Sequence, residues 1–248
     1  MLEARNLSIS FGGLKAVEDV SLRVPEGGIV SLIGPNGAGK STLFALLSGF
    51  RKPATGSVFW QGADITGMPP HRICRLGLAR TFQIVQPFAA QTVRENIAVG
   101  AHLHHPSRRA ALDAAEAVAA RVGLDHELDK LALNLTIAGR KRLELARALA
   151  TQPKILLLDE VLAGLNPGEV GAMLPVIRGL RDDGGITILM IEHVMQAVMA
   201  LSEYTWVLSN GRLIAEGPPA QVAANPVVVE AYLGHGVVER MRKAAGHA

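Results

Sequence analysis

Cysteine and aromatic residues are scarce in this 248-residue sequence. It contains one cysteine, Cys74, and its aromatic content is 4%. A single cysteine excludes an intrachain disulfide and fits a reducing compartment. Because rings are few, aliphatic side chains and alanine must fill most of the core that a chain of this length can bury.

The sequence also lacks a long apolar run, a strong charge of either sign and a leader. Its most apolar stretches are about one strand long, well short of the roughly 18 residues that suggest a membrane span. The first residues, MLEARNLSIS, include Glu3 and have no apolar run behind a basic start, unlike a signal peptide. The net charge of +3 is too small to indicate a nucleic-acid partner. We therefore expect a cytosolic protein, soluble when isolated, whose membrane role would come through a partner.

Strand patterns dominate the first third of the sequence and alternate with helices in the last third. Residues 7–11 and 20–24 alternate apolar and polar side chains, as half-buried strands do. Helical patterns dominate residues 71–150, with helices predicted over 109–121 and 140–150. Short apolar runs typical of buried strands lie at residues 29–33, 155–158 and 186–191. This alternation predicts an α/β core with the helical middle as an insertion.

The segment GPNGAGKS matches the phosphate-loop pattern G-x-x-x-x-G-K-[ST]. It follows an apolar strand and opens a predicted helix, a context that disfavours the alternative of an ordinary glycine-rich turn. Small residues let successive backbone N–H groups turn onto phosphate oxygens, and the helix N-terminus adds its dipole. Lys40 would reach the β- and γ-phosphates, and the Ser41 hydroxyl would ligate Mg²⁺. The predicted nucleotide contacts are Gly34, Pro35, Asn36, Gly37, Ala38, Gly39, Lys40, Ser41 and Thr42.

A second pattern, ILLLDE at residues 155–160, is an apolar strand that ends in two carboxylates. Open α/β sheets bind their ligands at the carboxyl ends of strands. We therefore predict that Asp159 holds Mg²⁺ through its water shell and that Glu160 is the general base for an attacking water. Taken alone, a surface pair of acids would be the simpler interpretation, and the phosphate loop favours the catalytic one.

With these two motifs the chain resembles the ATP-binding subunit of ATP-binding cassette (ABC) transporters, nearly from end to end. The resemblance implies a P-loop NTPase core of ABC ATPase type, with an N-terminal antiparallel β subdomain and an inserted α-helical subdomain. One domain would span residues 1–248. Its β subdomain and phosphate-loop core would occupy 1–83, the helical subdomain 84–150, and the rest of the core with a C-terminal extension 151–248.

The resemblance implies further site residues. Phe11 takes the place of the aromatic that stacks on adenine, although a core aromatic on a strand explains it nearly as well. Gln83, in GLARTFQ, is similar to the glutamine that contacts Mg²⁺ and the attacking water and reports to the transmembrane partner. His193 resembles the histidine that contacts the γ-phosphate, although a lone histidine at a strand end is usually structural.

The segment that corresponds to the ABC signature departs from the usual LSGGQ and reads LTIAG. Thr136 keeps a hydroxyl that would bond a γ-phosphate across a dimer. Ala138 keeps a backbone N–H, Gly139 completes the contact, and Ile137 crowds the approach. The following KRLELARALA is typical of the helix after the signature. We expect a working but atypical site.

Other local runs indicate a subfamily. Asn166 stands where the family commonly has Asp, and Val161 stands where Pro is usual. The runs AGLNP, IEHVM, TFQIVQPFAAQTVRENIAVG and NPVVVEAYLGH are similar to the cassettes of branched-chain amino-acid importers. Urea and short-amide importers and the lipopolysaccharide-export ATPase share parts of this pattern, so they remain alternatives.

The resemblance implies a set of partners and a location. The partners are transmembrane permease subunits, a second cassette in a homo- or heterodimer, and indirectly a periplasmic substrate-binding protein. The implied location is peripheral, on the cytoplasmic face of a bacterial inner membrane. A soluble ABC ATPase without a permease and a phosphotransferase are the alternatives from other classes, and ILLLDE with His193 disfavours the second.

Two remaining features have simple interpretations. The histidines within residues 102–105 suggest a metal site, but no Cys or carboxylate cluster accompanies them, so a solvated loop is the better interpretation. The basic residues within 240–243 would suit anionic lipid, although a frayed polar terminus explains them as well. Neither feature indicates a second function.

Overall fold

The structure is a computed structural model and describes residues 1–233. The basic residues at 240–243, the last residues of NPVVVEAYLGH and part of the predicted C-terminal extension lie outside the described residues. The strands are β1 (Leu2–Phe11), β2 (Leu14–Val24), β3 (Ile29–Ile33), β4 (Thr55–Trp60), β5 (Ala63–Asp64), β6 (Leu78–Arg80), β7 (Ile155–Asp159), β8 (Thr187–Ile191), β9 (Tyr204–Ser209) and β10 (Arg212–Gly217). The helices are α1 (Lys40–Leu47), α2 (Pro70–Arg75), α3 (Val93–Ala101), α4 (Arg108–Val122), α5 (Ile137–Leu149), α6 (Pro167–Asp182), α7 (Met195–Leu201), α8 (Pro219–Ala224) and α9 (Pro226–Leu233).

Within residues 1–233 the larger sheet has six strands in the order β10-β9-β3-β8-β7-β6. All neighbours pair in parallel except β10, which is antiparallel to β9. Every residue of β3, β7 and β8 is buried, as expected for parallel strands covered on both faces. Their continuous apolar runs follow from this burial, and the predicted α/β fold is confirmed.

The smaller sheet has the order β2-β1-β4-β5 and is antiparallel throughout. Its alternating apolar side chains, such as Leu7 and Val20, join α1 and residues of the larger sheet in one core cluster. Phe44 of α1 and Trp206 of β9 belong to this cluster, so two of the few large rings lie where the sheets meet. The phosphate loop precedes α1 and is therefore held between both sheets.

Helices α3, α4 and α5 lie between β6 and β7 in the chain and pack against one another. Helix α4 buries Ala111, Ala115 and Ala119, which recur every four residues along one face. Gly123 ends it in the left-handed conformation, with φ 71°. None of the helices in residues 1–233 has the length and apolar content needed to cross a membrane. The division of the chain into subdomains stays a prediction.

The structure differs from the sequence-based expectation in the stretch predicted to be helical, residues 71–150. Strand β6 lies inside it and pairs in parallel with β7. Three residues are too few to show an apolar period, and their hydrogen-bond partners come from a strand far along the chain. Helix α5 begins at Ile137 rather than at Arg140, because Thr136 caps it. Strand β6 brings Arg80 to the carboxyl end of the sheet.

Candidate functional site

The phosphate loop connects the end of β3 to the start of α1 and fits closely against neighbouring backbone. Gly34 has φ 150°, and a Cβ there would overlap the carbonyl oxygen of Leu208. Gly39 has φ 104°, and a Cβ there would overlap the carbonyl oxygen of Ala16. Gly37 has φ 78° but no described atom within 4 Å of such a Cβ. Glycine is therefore required by sterics at the first two positions and by conformation at Gly37.

Lys40 is 7% exposed and folds over the loop. Its Nζ donates to the carbonyl oxygens of Gly34 at 2.7 Å and Pro35 at 2.9 Å. Burial lowers the pKa of Lys40, while the carboxylates of Glu160 and Asp159 raise it. Of the other predicted contacts, Asn36, Gly37 and Ser41 are exposed, Gly39 and Thr42 are half-buried, and Ala38 is buried. The loop thus has exposed residues at Asn36, Gly37 and Ser41 around the buried ammonium group of Lys40, an arrangement that suits phosphate binding.

Asp159, the last residue of β7, is 1% exposed. Its Oδ2 accepts a hydrogen bond from Arg80 Nη2 at 2.6 Å, and its backbone N–H donates to Thr81 Oγ1 at 3.0 Å. Its Oδ1 is buried and has no hydrogen-bond partner among the described residues. Burial raises the pKa of Asp159, and the hydrogen bond from Arg80 opposes that rise. A buried carboxylate oxygen without a protein partner is suited to a cation or its water shell.

Ser41, Gln83 and Asp159 line one cavity of about 530 Å³. They are the three predicted Mg²⁺ contacts, and they come from α1, the segment after β6, and the end of β7. Hydroxyl, amide and carboxylate oxygens are the donors that Mg²⁺ prefers, usually with waters and substrate phosphates. In residues 1–233 no cluster of three His, Cys, Asp or Glu side chains forms a metal site by itself. The residues around this cavity therefore fit Mg²⁺ bound together with a phosphate.

Glu160 and Gln83 are 77 residues apart in the chain, and their side chains meet beside this cavity, which Gln83 lines. The Nε2 of Gln83 donates to Glu160 Oε2 at 2.7 Å. Glu160 has φ 49°, a left-handed conformation that a non-glycine residue adopts rarely and at a cost of roughly 1 kcal/mol. The structure thus brings two of the three predicted catalytic side chains into contact. Backbone strain at Glu160 is typical of a functional position.

His193 and Phe11 do not line this cavity. His193 is exposed and lies two residues beyond the end of β8. Phe11, at the end of β1, is 42% exposed, with the Cζ of Arg51 5.7 Å from its ring centroid. The interpretation of Phe11 as a core aromatic is therefore wrong, because its ring faces solvent and a cation. Its role toward adenine stays a prediction.

The predicted signature segment forms the start of α5. The Oγ1 of Thr136 accepts a hydrogen bond from the backbone N–H of Gly139 at 3.1 Å, which leaves the threonine O–H free to donate. Ala138 lies in the first turn, whose N–H groups have no partner within a helix. Ile137 is 61% exposed beside them. None of these residues lines the cavity shared by Ser41 and Asp159.

The sequence motifs do not identify Lys141, which lies on the next turn of α5. Lys141 is 7% exposed, and its Nζ donates to the backbone carbonyls of Glu160 at 3.1 Å and Gln83 at 3.3 Å. It thereby holds both catalytic segments against the helix that begins at Thr136. Burial lowers the pKa of Lys141, and several carboxylates, Glu192 first among them, raise it. Its spacing of four residues before Leu145, on the apolar face of the helix, is the signal that marks it in the sequence.

Glu192 and Arg80 were also missed. Glu192 follows β8 and is 0% exposed; its Oε1 accepts from the backbone N–H of Leu162 at 3.1 Å. Its Oε2 has no hydrogen-bond partner among the described residues, and burial raises the pKa of Glu192 to about 7. Both residues adjoin a predicted site residue in the sequence, Glu192 next to His193 and Arg80 within GLARTFQ. That proximity is the only signal that the sequence offers.

Comparisons with known proteins agree with this geometry. The family model for ABC transporters matches residues 17–163, and the model for branched-chain amino acid ATP-binding cassette transporters matches residues 212–238. Two high-affinity branched-chain amino acid transport ATP-binding proteins are similar over 94% of this chain and 98% of their own length. They are BraF of Pseudomonas aeruginosa, at 41% identity, and LivG of Escherichia coli (strain K12), at 43%.

Solved structures give the same result. A nucleotide-free ATP-binding cassette from an ABC transporter is 33% identical and has a TM-score of 0.87, covering 95% of this chain and 99% of that one. An ATP-binding cassette of an ABC transporter in its ADP conformation is 34% identical, with a TM-score of 0.86 and the same coverage. The resemblance inferred from the motifs is thus confirmed. The chain belongs to the ABC transporter family, as an ATP-binding cassette and an ATPase.

Proposed function

We propose that the chain is the motor subunit of an importer for branched-chain amino acids, and that it hydrolyses ATP with Mg²⁺ to drive a membrane permease. The observation that carries the hydrolytic role is the 2.7 Å hydrogen bond between Gln83 and Glu160, beside the cavity lined by Ser41 and Asp159. The substrate class is supported by the 41–43% identity to BraF and LivG and by the C-terminal match at residues 212–238.

The triphosphate would lie along the phosphate loop, with the backbone N–H groups of residues 34–42 donating to its oxygens. Lys40 would turn its Nζ from two backbone carbonyls to the β- and γ-phosphates, and Phe11 would stack on adenine. Ser41 and Gln83 would hold Mg²⁺ directly, and Asp159 would hold it through water. When bound, Mg²⁺ neutralises charge on the transferred phosphoryl group.

In the hydrolytic step a water attacks the γ-phosphorus, and the bond from that atom to the β–γ bridging oxygen breaks. Glu160 accepts the proton that the water loses, so the products are ADP and inorganic phosphate. Gln83 orients Glu160 and the water through the hydrogen bond already present. His193 would contact the γ-phosphate from the end of β8. The backbone of Glu160 is fixed by Lys141, which keeps the base at the cavity.

A second cassette would complete the site. Thr136, Ala138 and Gly139 lie outside the cavity of their own chain, and Ile137 beside them is 61% exposed. The start of α5 offers a free hydroxyl donor, N–H groups and the positive end of a helix dipole. These features suit the γ-phosphate bound to a second copy or to a related cassette. Closure of such a pair on ATP, and its reopening after hydrolysis, would move the permease.

The permease would dock beside Gln83. Phe50, Phe82 and Ile84 are exposed by 48%, 41% and 73%, and Phe50 and Phe82 meet edge to face with their ring centroids 5.3 Å apart. A cluster of exposed apolar side chains usually marks a protein contact. A permease bound there would place the cassette on the cytoplasmic face of the inner membrane. The periplasmic binding protein would act on it only through the permease.

The Glu160→Gln variant tests the motor. The amide keeps an acceptor for Gln83 but no longer takes a proton, so ATP should bind and remain unhydrolysed. We expect an ATP-dependent dimer by size-exclusion chromatography with light scattering, and no dimer in Lys40→Ala, which lacks the phosphate contact. A Glu160→Gln chain that binds ATP tightly and stays monomeric would contradict the two-cassette site.

Reconstitution tests the substrate class. The chain is co-expressed with candidate permeases for branched-chain amino acids, and the purified complex is placed in vesicles with a binding protein for these amino acids. We expect ATP-dependent uptake of leucine, isoleucine and valine. Uptake of urea or short amides instead would reassign the substrate. The absence of any co-purifying permease would favour a soluble ABC ATPase.

A further inference from the structure

Arg80, the last residue of β6, lies almost wholly inside the protein, with 9% of its side chain exposed. Its Nη2 donates to Asp159 Oδ2 at 2.6 Å, and its Nη1 donates to the Oγ of Ser48 at 3.4 Å. Ser48 is the C-cap residue of α1, the helix that follows the phosphate loop. The guanidinium therefore joins the carboxylate at the end of β7 to the helix that carries Lys40 and Ser41.

Three aromatic rings surround this guanidinium. Its Cζ lies 5.7, 5.8 and 5.4 Å from the ring centroids of Phe44, Phe50 and Phe82. Rings at these distances attract the cation and limit its rotation without taking its N–H groups. Nη1 and Nη2 donate to Ser48 and Asp159. Three of the chain's six phenylalanines thus contact the guanidinium of Arg80.

Stability alone does not account for this arrangement. Arg80 Nε is buried and has no hydrogen-bond partner among the described residues, which is unfavourable. A buried ion pair is often no more stabilising than apolar side chains of the same volume. A Met and Leu pair would fill the space without an unsatisfied N–H. The charge is better explained by what it does to Asp159.

Arg80 determines which oxygen of Asp159 remains available. Oδ2 is taken by Nη2, whereas Oδ1 is buried and has no hydrogen-bond partner among the described residues. The Nη2 hydrogen bond and the buried ion pair hold Oδ2 toward Arg80, so Oδ1 is the oxygen left for a further partner at the cavity that Asp159 lines with Ser41 and Gln83. Partners behind a metal-binding carboxylate commonly orient it in this way.

We propose that Arg80 is a positioning residue that orients Asp159 toward Mg²⁺ and thereby sets the Mg²⁺ affinity of the nucleotide complex. This role rests on the Mg²⁺ contact proposed above for Asp159. Arg80 also has an opposing effect on Mg²⁺ affinity, because its positive charge repels a nearby divalent cation. If repulsion prevailed, loss of the guanidinium would tighten Mg²⁺ binding; orientation through the Nη2 hydrogen bond requires that this loss weaken it.

The experiment is a Mg²⁺ titration of nucleotide binding in the full chain, with a fluorescent ATP analogue as the probe. Wild type, Arg80→Lys, Asp159→Asn and the double variant are compared, and binding is also measured in EDTA. For Arg80→Lys, which keeps the charge and loses the planar guanidinium that donates to both Asp159 and Ser48, we expect the Mg²⁺ midpoint to rise about 10- to 100-fold. Affinity in EDTA should change by less than about threefold, since the phosphate loop is untouched.

The double variant shows whether Arg80 acts through the carboxylate. In the Asp159→Asn background, Arg80→Lys should shift the Mg²⁺ midpoint by no more than about twofold. An unchanged or lower midpoint in Arg80→Lys alone would overturn the role of Arg80. If Asp159→Asn itself left the Mg²⁺ dependence unchanged, the proposed metal contact would fail instead.

Arg147 offers a matched control in the same region. Its Cζ lies 5.0 Å from the ring centroid of Phe88, and its Nη1 donates to Glu144 Oε2 at 3.4 Å. Like Arg80 it lines the cavity and contacts a ring and a carboxylate, but it donates to the carbonyl of Gln86 at 3.0 Å and does not bond Asp159. Arg147→Lys should leave the Mg²⁺ midpoint within about twofold of wild type. A shift as large as that of Arg80→Lys would make the effect a general loss of packing and overturn the assignment.

A second variant covers the case in which Arg80→Lys does not fold, which circular dichroism and thermal melting will show. Phe50→Leu removes one of the three rings from a position that is 48% exposed, so it should fold. The guanidinium would be less restrained, and we expect a Mg²⁺ midpoint about two- to fivefold higher. An unchanged midpoint in Phe50→Leu, with Arg80→Lys unfolded, would make Arg80 a residue of folding alone.

Discussion

The phosphate loop and the signature segment at residues 136–139 are both short turns that lead into a helix, yet their surroundings differ. Around the loop, the backbone of other strands approaches Gly34 and Gly39 so closely that a Cβ would overlap it. The signature segment is held by its own threonine cap and is open to solvent at Ile137. A glycine is indispensable where backbone approaches, so the loop keeps its motif. The signature segment departs from LSGGQ at positions that the backbone of its own chain does not crowd.

The largest expected effect concerns a glycine in each segment. Gly39→Ala forces a Cβ against the Ala16 carbonyl at φ 104°, whereas a Cβ at Gly139 lies 3.2–3.4 Å from the flexible side chains of Leu135 and Thr136. We expect Gly39→Ala to lower the free energy of unfolding by about 3 kcal/mol or more and to abolish ATP binding. Gly139→Ala should cost about 1 kcal/mol or less. Urea unfolding and nucleotide binding are measured for both variants. Similar losses of stability in Gly39→Ala and Gly139→Ala would contradict the proposed difference between the two segments.

The next effect concerns the buried carboxyl group of Glu192, which lies beyond the end of β8. Burial raises the pKa of Glu192 from 4.5 to about 7, so the folded state binds the proton more tightly than the unfolded state does. The free energy of unfolding should therefore fall as pH rises from 4.5 to 7, by up to the order of 3 kcal/mol, and level off above. Glu192→Gln should flatten this slope, as measured by urea unfolding at several pH values. Glu216→Gln, at an exposed position, should keep the slope, and an unaltered slope in Glu192→Gln would assign it to other groups.

The third effect concerns Thr136, the cap of the signature segment. Thr136→Val removes both the cap and the hydroxyl donor, so we expect about 1 kcal/mol less stability and a weaker ATP-dependent dimer of Glu160→Gln. Thr136→Ser keeps the hydroxyl and should behave like wild type in both measurements. Equal dimerisation of the Val and Ser variants would show that the hydroxyl does not reach the phosphate.

Ile137→Gly is expected to have the smallest effect on stability. The side chain is 61% exposed, and glycine at a first-turn position should cost less than about 1 kcal/mol. If Ile137 crowds the approach of a second cassette, as the resemblance predicts, the ATPase rate at saturating ATP should rise. A rate that falls would indicate that Ile137 makes a favourable contact with the partner cassette.

The parts of the fold that sequence predicts well are those whose causes are local. The apolar run at 29–33, the glycine pattern after it and the carboxylates after 155–158 each carry their signal within a few residues. Strand β6 and Lys141 were missed because their contacts come from β7 and from loops 19 and 58 residues away. Resemblance to a family supplied Gln83, but its hydrogen bond to Glu160 follows only from the folded sheet. The guanidinium of Arg80 is likewise explained by neighbours that no sequence window contains.

The left-handed backbone at Glu160 has a consequence for directed evolution. At φ 49° asparagine or glycine has less backbone strain than glutamate, so either replacement should stabilise the fold by roughly 1 kcal/mol. A library selected only for heat resistance would therefore be enriched in variants that have lost the proposed general base. Selection for growth on the transported nutrient would oppose that drift. In a deep mutational scan, the frequency of Glu at position 160 would then measure how strongly a culture is selected for ATP turnover rather than for stability of the fold.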